Sequence, residues 1–243
     1  MARIGIIGSE GRMGQAIASV LAAGEHELAG GVDRDEEVSP LAESCDVLVD
    51  FSAPHALRGN LQAAQAADIP ILIGTTGLGD NHHGEIDAAA KAIPVLQTGN
   101  TSLGVTLLAH LVHEAATRLG PDWDIEVLEM HHRMKVDAPS GTADLLGEAA
   151  ARARGIDLSD NRESGRDGHT GARGQSAIGF AALRGGTVAG EHSVIFAGEH
   201  ERLVLSHTAE DRTIFATGAV RAAAWLIGRE PGRYAMTDVL GIA

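Results

Sequence analysis

Between Glu129 and Thr142 the chain reads Glu-Met-His-His-Arg-Met-Lys-Val-Asp-Ala-Pro-Ser-Gly-Thr. His131, His132, Arg133 and Lys135 crowd into the first half of this segment, and Ser140-Gly141-Thr142 opens an Ala- and Leu-rich stretch after it. Histidine titrates near neutral pH, so one of the pair can act as a general acid. Ser140 is a natural N-cap, and Gly141 and Thr142 behind it would present backbone N–H groups that suit a carboxylate. Lys135 and a protonated histidine would complete a positive pocket, so the set is built for a small dicarboxylate. A metal centre is the competing reading. Adjacent histidines on a strand point to opposite faces, no cysteine is near, and Arg133 and Lys135 would repel a cation, so no metal is expected. The blandest reading is a solvated basic turn. Hydrolase signatures are absent: there is no G-x-S-x-G, no H-E-x-x-H and no Walker loop.

A second constellation lies at the start of the chain. Gly8-Ser9-Glu10-Gly11-Arg12-Met13-Gly14 stands between an apolar run and a helical pattern. Glycines there let the backbone turn tightly and approach a pyrophosphate, which the helix N-terminus then attracts. The spacing is G-x-x-G-x-x-G, a departure from the commoner G-x-G-x-x-G; a tight turn without ligand is the alternative. The fingerprint asks for an acidic residue about 20 positions on, and Asp33 meets it. A carboxylate there accepts from an adenosine ribose and repels a 2′-phosphate, whereas Arg34 would attract that phosphate. NADH or NADPH is therefore the expected cofactor. Gly74-Thr75-Thr76 and Gly99-Asn100-Thr101-Ser102 follow later strand patterns and would lie at the same sheet edge, where small hydroxyl and amide groups can hold a nicotinamide.

The elements that must position these groups alternate. Strands are predicted at Ile4–Gly8, Leu28–Val32, Asp46–Phe51, Pro70–Gly74 and Pro94–Gln97, with helices at Arg12–Ala23 and Ala56–Ala67. That alternation implies a parallel sheet with helices on both faces. A helix at Leu103–Leu119, a strand at Ile125–Met130 and a helix at Thr142–Arg154 follow. Ser159–Gln175 reads as a long polar loop. Three closely spaced runs, Ala177–Leu183, His192–Ala197 and Arg202–Ser206, suggest an antiparallel or mixed sheet. Thr213–Ile227 is a final amphipathic helix, and pattern alone leaves open which half it joins.

Composition narrows the function class. The chain has 243 residues, with 44% hydrophobic and only 3% aromatic. The net charge of −14 disfavours a nucleic-acid partner. Cys45 is the single cysteine, which excludes an intrachain disulfide and fits a reducing compartment. The N-terminus has no signal-peptide layout and no apolar run is long enough to span a membrane, so a cytoplasmic protein with no membrane partner is expected.

With these residues in view, the chain resembles the dihydrodipicolinate reductase family (4-hydroxy-tetrahydrodipicolinate reductase) of the diaminopimelate route to lysine. The resemblance runs from GSEGRMG through Gly74-Thr75-Thr76 and Gly99-Asn100-Thr101-Ser102 to HHRMKVDAPSGTA at 131–143. It continues at Ile178-Gly179-Phe180, Gly190-Glu191-His192 and Phe215-Ala216-Thr217-Gly218-Ala219. It implies an α/β fold: a Rossmann-type parallel-sheet domain at 1–103 and 212–243, and an α+β substrate and oligomerisation domain with a mixed sheet at 104–211. It implies His131 as proton donor, Lys135 as second catalytic residue, and His132, Gly141 and Thr142 as carboxylate binders. It places Arg12, Asp33 and Arg34 at the adenosine half of the cofactor and implies a homotetramer. The family's usual third histidine is replaced by Met134, which is given no role. Two other readings remain: a related reductase of another amino-acid-derived imine, and a nucleotide-sensing binding protein that would have no need of the basic segment.

Overall fold

Apolar runs that end in glycine or a polar residue set the first half of the chain. In a computed structural model, which describes residues 1–242, they form β1 (Arg3–Ile7), β2 (Glu27–Val32), β3 (Val47–Asp50), β4 (Ile71–Ile73) and β5 (Pro94–Gln97). Between them run α1 (Arg12–Ala23), the one-turn α2 (Ser39–Ala42), α3 (Leu57–Ala66) and α4 (Asp80–Ala89). The segment Glu36–Ser44 makes the α2 turn because Pro40 pre-sets its start and Leu41 and Ala42 reach the core.

The chain continues through α5 (Leu103–Leu119), β6 (Asp124–His131), α6 (Gly141–Arg154), α7 (Leu158–Asn161), β7 (Arg162–Ser164), β8 (Ile178–Arg184), β9 (Gly190–Ala197) and β10 (Arg202–Ala209). It closes with α8 (Thr213–Leu226), β11 (Gly232–Tyr234) and α9 (Met236–Leu240). Two compact units result: Met1–Leu103 with Thr213–Ala243, and Gly104–Arg212.

In the first unit six strands lie in the order β11-β5-β4-β3-β1-β2, every pair parallel. Strands buried on both faces send alternate residues to opposite sides. Ile4, Ile6, Val47, Val49, Leu72 and Leu96 pack with Ile17 and Leu21 of α1 and with Ala216, Ala219, Ala222 and Ala223 of α8. Ile7, Leu48, Ile71, Ile73 and Val95 pack on the other side with Leu57, Leu61 and Ile86. The small residues of α8 let it approach closely: a Cβ at Gly218 would fall 1.8 Å from the carbonyl oxygen of Thr101. β11 has too few residues to show a period; its pairing with β5 makes it a strand.

The second unit is a mixed sheet, β10-β9-β6-β8-β7, with β9 antiparallel to its neighbours and β7 and β8 parallel to theirs. Ile125, Val127, Ile178, Phe180, Val194 and Phe196 face helices α5, α6 and α7 through Leu108, Val112, Leu146, Ala150 and Leu158. Two features correct the expected loop at Ser159–Gln175. Asp157 caps α7 by accepting from Ser159 N, and three residues then join the sheet edge as β7. The rest of the segment is tied back by Arg173, which donates to Glu126, Asp124 and the carbonyl of Ile125 at 2.8–2.9 Å.

Candidate active site

The loop Gly8–Gly14 sits where the sheet's strand order reverses, β2 lying to one side of β1 and β3 to the other. Ligands of open parallel sheets bind at such a point, outside the carboxyl ends of the strands. Gly8 has φ +84°, and a Cβ on it would fall 2.7 Å from the carbonyl oxygen of Phe51. A Cβ on Gly14 would fall 2.3 Å from Gly8 O. The loop therefore has no room for side chains at either end. No side chain caps α1, so the first-turn N–H groups depend on another acceptor.

Beside the loop is a cavity of about 550 Å³, lined among others by Gly8, Glu10, Gly11, Asp33, Arg34 and Ser52. Its size is that of a small-molecule site. Asp33 accepts from Glu10 N at 3.0 Å and from Arg34 N at 2.9 Å, which ties the end of β2 to the loop. These backbone bonds, Arg34's first and then Glu10's, hold its carboxyl below the usual range. A backbone cradle with an ionised carboxylate at its rim fits a dinucleotide.

The other expected cofactor residues are distributed differently. Ser9, Arg12 and Met13 belong to the same loop and helix start but not to the cavity wall; Arg12 is exposed and Met13 packs on the core. Gly74–Thr76 and Gly99–Ser102 follow β4 and β5 at the same sheet edge, and a Cβ on Gly99 would lie 3.9 Å from Thr76. Their side chains also serve the fold. Thr75 bonds Asp50 at 3.2 Å, Thr101 donates to Phe215 O at 2.7 Å, and Asn100 Oδ1 accepts from Ser102 N at 2.9 Å. Gly74 gives space to the Phe51 ring, which a Cβ would meet at 2.2 Å.

In the second unit β6 alternates, so Ile125, Val127, Glu129 and His131 all turn inward. His131 closes the strand and is buried. Its Nδ1 lies 2.7 Å from Glu129 Oε2. Arg184 donates to both Glu129 oxygens at 2.7 and 2.8 Å. Burial pushes the Glu129 carboxyl up, but the bonds from Arg184 and His131 outweigh it and hold the group below the usual range. His192 stands edge-on to His131 with ring centroids 5.0 Å apart. Burial, reinforced by the nearby His131, pushes His192 down to about 4, so it is neutral at pH 7.

His132 lies just past the strand, its N–H donating to Val188 O at 2.8 Å. Lys135 is not a lone cation: its Nζ is 2.8 Å from Asp137 Oδ2. Arg133, Met134 and Val136 are exposed. Ser140 caps α6, its Oγ accepting from Ala143 N at 3.2 Å, and it also meets His192 Nε2 at 2.9 Å. Beside Gly141 a Cβ would meet nothing within 4 Å, so the helix start borders open space. The unit thus gathers His131, Arg184 and the α6 start around one buried carboxylate, with Lys135 paired to Asp137 on the intervening loop. Among the described residues no three His, Cys, Asp or Glu side chains converge as a metal site would require.

Two family models divide the chain between them: Dihydrodipicolinate reductase, N-terminus, over residues 2–101, and Dihydrodipicolinate reductase, C-terminus, over residues 104–240. The chain belongs to the dihydrodipicolinate reductase family. The 4-hydroxy-tetrahydrodipicolinate reductase of Zymomonas mobilis is 51% identical, over 99% of this chain and 97% of that protein. That of Acidiphilium cryptum is 49% identical over 99% and 98%. The solved structure of a dipicolinate-bound dihydrodipicolinate reductase from Paenisporosarcina sp. TG-14 shares the fold, with TM-score 0.79 at 23% identity and 98% of each chain covered.

Within this dihydrodipicolinate reductase scaffold, sequence reasoning passed over Glu129, Arg184, His192 and Asp137 as parts of the site. Glu129 and His131 are two apart on a strand, and that spacing alone puts them on one face. Arg184 and His192 carried no such signal, because only strand pairing brings β8 and β9 to either side of β6.

Proposed function

We propose that the chain reduces 4-hydroxy-tetrahydrodipicolinate, by way of dihydrodipicolinate, to tetrahydrodipicolinate in lysine and diaminopimelate biosynthesis, with NADH or NADPH. The observation that carries this reading is the buried Glu129–His131 pair bonded to the Ser140-capped helix start, with Lys135 on the loop between them. The first unit is the dinucleotide-binding domain. Gly8–Gly11 and Met13 receive the pyrophosphate, Arg12, Asp33 and Arg34 the adenosine half, and Gly74–Thr76 and Gly99–Ser102 the nicotinamide half. The second unit is the substrate domain.

When bound, the reduced nicotinamide supplies a hydride to the conjugated C=C–C=N system of the substrate. His132, Lys135 and the N–H groups of Gly141 and Thr142 bind the two substrate carboxylates. Lys135 exchanges Asp137 for a substrate carboxylate and so draws the ring into place. His131 then gives its proton to the enamine carbon that reduction leaves.

The assembly is a homotetramer formed through the second unit's sheet. Support comes from the face opposite the helices, where Leu183 and Val204 are about half exposed and lie in register with Met130 and Ile195. The cytoplasm is the compartment, in keeping with the single, buried Cys45. Oxidation of NADH and of NADPH, measured separately with freshly made dihydrodipicolinate precursor, tests the activity. Substrate-dependent oxidation is expected. Cofactor binding without turnover would turn the reading to a nucleotide sensor, and turnover only of other imines would turn it to a related reductase.

A further inference from the structure

The contacts of Glu129 go beyond what a buried ion pair needs. His131 and Arg184 face each other in register on β6 and β8, and Glu129 lies between their side chains. Arg184 grips both carboxylate oxygens and also donates to Asp137 O at 2.7 Å, so its own position is fixed from the loop. Ser140 N donates to Glu129 Oε1 at 3.2 Å. A carboxylate held this way is ionised and can only accept, so the 2.7 Å contact puts a proton on His131 Nδ1. The ring's other nitrogen then carries whatever proton is transferred. That nitrogen faces Gly190: a Cβ there would lie 3.1 Å from His131 Nε2, and glycine keeps the space open.

We propose that Glu129, clamped by Arg184, is the positioning residue for His131: it fixes the Nδ1–H form, sets the ring's orientation and stabilises the imidazolium, leaving Nε2–H as the transferable proton. This rests on the reading of His131 as proton donor. Besides Glu129 on β6, the charged or titratable groups around the ring are Arg184 on β8, His192 on β9, His207 behind it on β10, and Lys135 and Asp137 on the loop. Glu129 is the carboxylate in contact with the imidazole, so its removal disfavours the cationic ring.

The test is Glu129→Gln in the full-length protein. We expect kcat to fall roughly 10- to 100-fold, part of what a positioned acid supplies, while both KM values stay within about twofold. The alkaline limb of the kcat profile should move to lower pH. Arg184→Lys, which keeps the charge and loses the fork, should move both quantities the same way by less. A merely structural role would lower the melting temperature and leave the limb where it was. Nitrogen NMR of histidine-labelled wild-type protein, with His131→Gln identifying the resonances, decides even where the variant does not fold. The neutral ring should carry its proton on Nδ1. An Nε2–H ring, or E129Q with wild-type kcat and pH profile, overturns the proposal. Wild-type kcat in His131→Gln would instead overturn the donor reading itself.

Discussion

In the first unit the candidate cofactor site is made of backbone and vacant space; in the second the candidate proton donor is made of side chains that hold one another. At Gly8 and Gly14 the chain folds so closely on itself that an added Cβ would fall 2.7 and 2.3 Å from carbonyl oxygens. At His131 the surroundings are Glu129, Arg184 and His192, drawn from three strands. A dinucleotide's phosphates need N–H groups and a dipole end, which any backbone supplies once side chains are out of the way. Proton transfer needs one nitrogen in one tautomer, which only other side chains can impose. The first site should therefore fail when atoms are added, and the second when they are removed.

Removal at the second site is expected to have the largest effect. His131→Gln should lower kcat by about 10²–10⁴-fold with KM little changed, because a positioned acid contributes that much. Lys135→Ala should raise the substrate KM and also slow turnover, leaving the cofactor KM alone. Steady-state kinetics with each nicotinamide checks both, and unchanged kcat in the histidine variant would remove it from the proton-donor role.

The buried His192 sharpens the comparison through stability. Unfolded histidine takes its proton near pH 6.5, whereas His192 in the fold does so at about 4, chiefly because burial disfavours the cation. Between those values the unfolded state binds more protons, so stability falls as pH is lowered. The full contribution is present above about pH 6.5, and up to roughly 3 kcal/mol is lost by about pH 4. Of its charged neighbours, only Glu129 pulls the other way; His131, His207 and Lys135 add to the shift. Urea denaturation across this window should show a flatter slope in His192→Gln, whatever that variant's absolute stability. An equal slope would mean the imidazole is not held neutral.

Addition at the first site comes next. Gly14→Ala should cost about 1–3 kcal/mol as an overpacked contact and raise KM for NADH and NADPH together. Gly59→Ala on α3, where a Cβ meets nothing within 4 Å, should leave both KM values unchanged and stabilise the fold slightly. Thermal melts with and without cofactor distinguish a distorted cradle from a general loss of stability.

These two sites also explain how much could be read in advance. The Gly8–Gly14 loop is contiguous and sits between a strand and a helix, so its place at the sheet edge followed from the order of elements. The HHRMK and SGT groups are contiguous as well, and both were legible as chemistry. What holds His131 was not, apart from Glu129, because Arg184 and His192 are 53 and 61 residues away in a chain whose strand order departs from sequence order. Lys135's partner shows a different limit: Asp137 is two residues away, but loop conformation decides whether they meet. The short β7 and β11 escaped for a third reason, since three residues cannot display a period and exist as strands only through their neighbours.

Asp33 and Arg34 are the place where the first site uses side chains, and the smallest effect is expected there. Asp33 stays ionised, held by the N–H groups of Arg34 and Glu10, and would repel a 2′-phosphate that Arg34 attracts. Replacing Asp33 by Asn keeps an acceptor for the loop and removes the charge. The kcat/KM ratio of NADPH to NADH should then rise, by no more than about tenfold for a contact at a solvent-washed rim. Arg34→Ala should lower it without affecting NADH. Both changes should shrink as ionic strength rises, because salt screens exposed charges over about 10 Å at 0.1 M. Gly14→Ala should show no such salt dependence, since a steric clash is not screened. If the Asp33 variant instead weakens both cofactors equally at every salt concentration, its carboxylate serves only to tie the loop to β2, and this site too is specified by backbone alone.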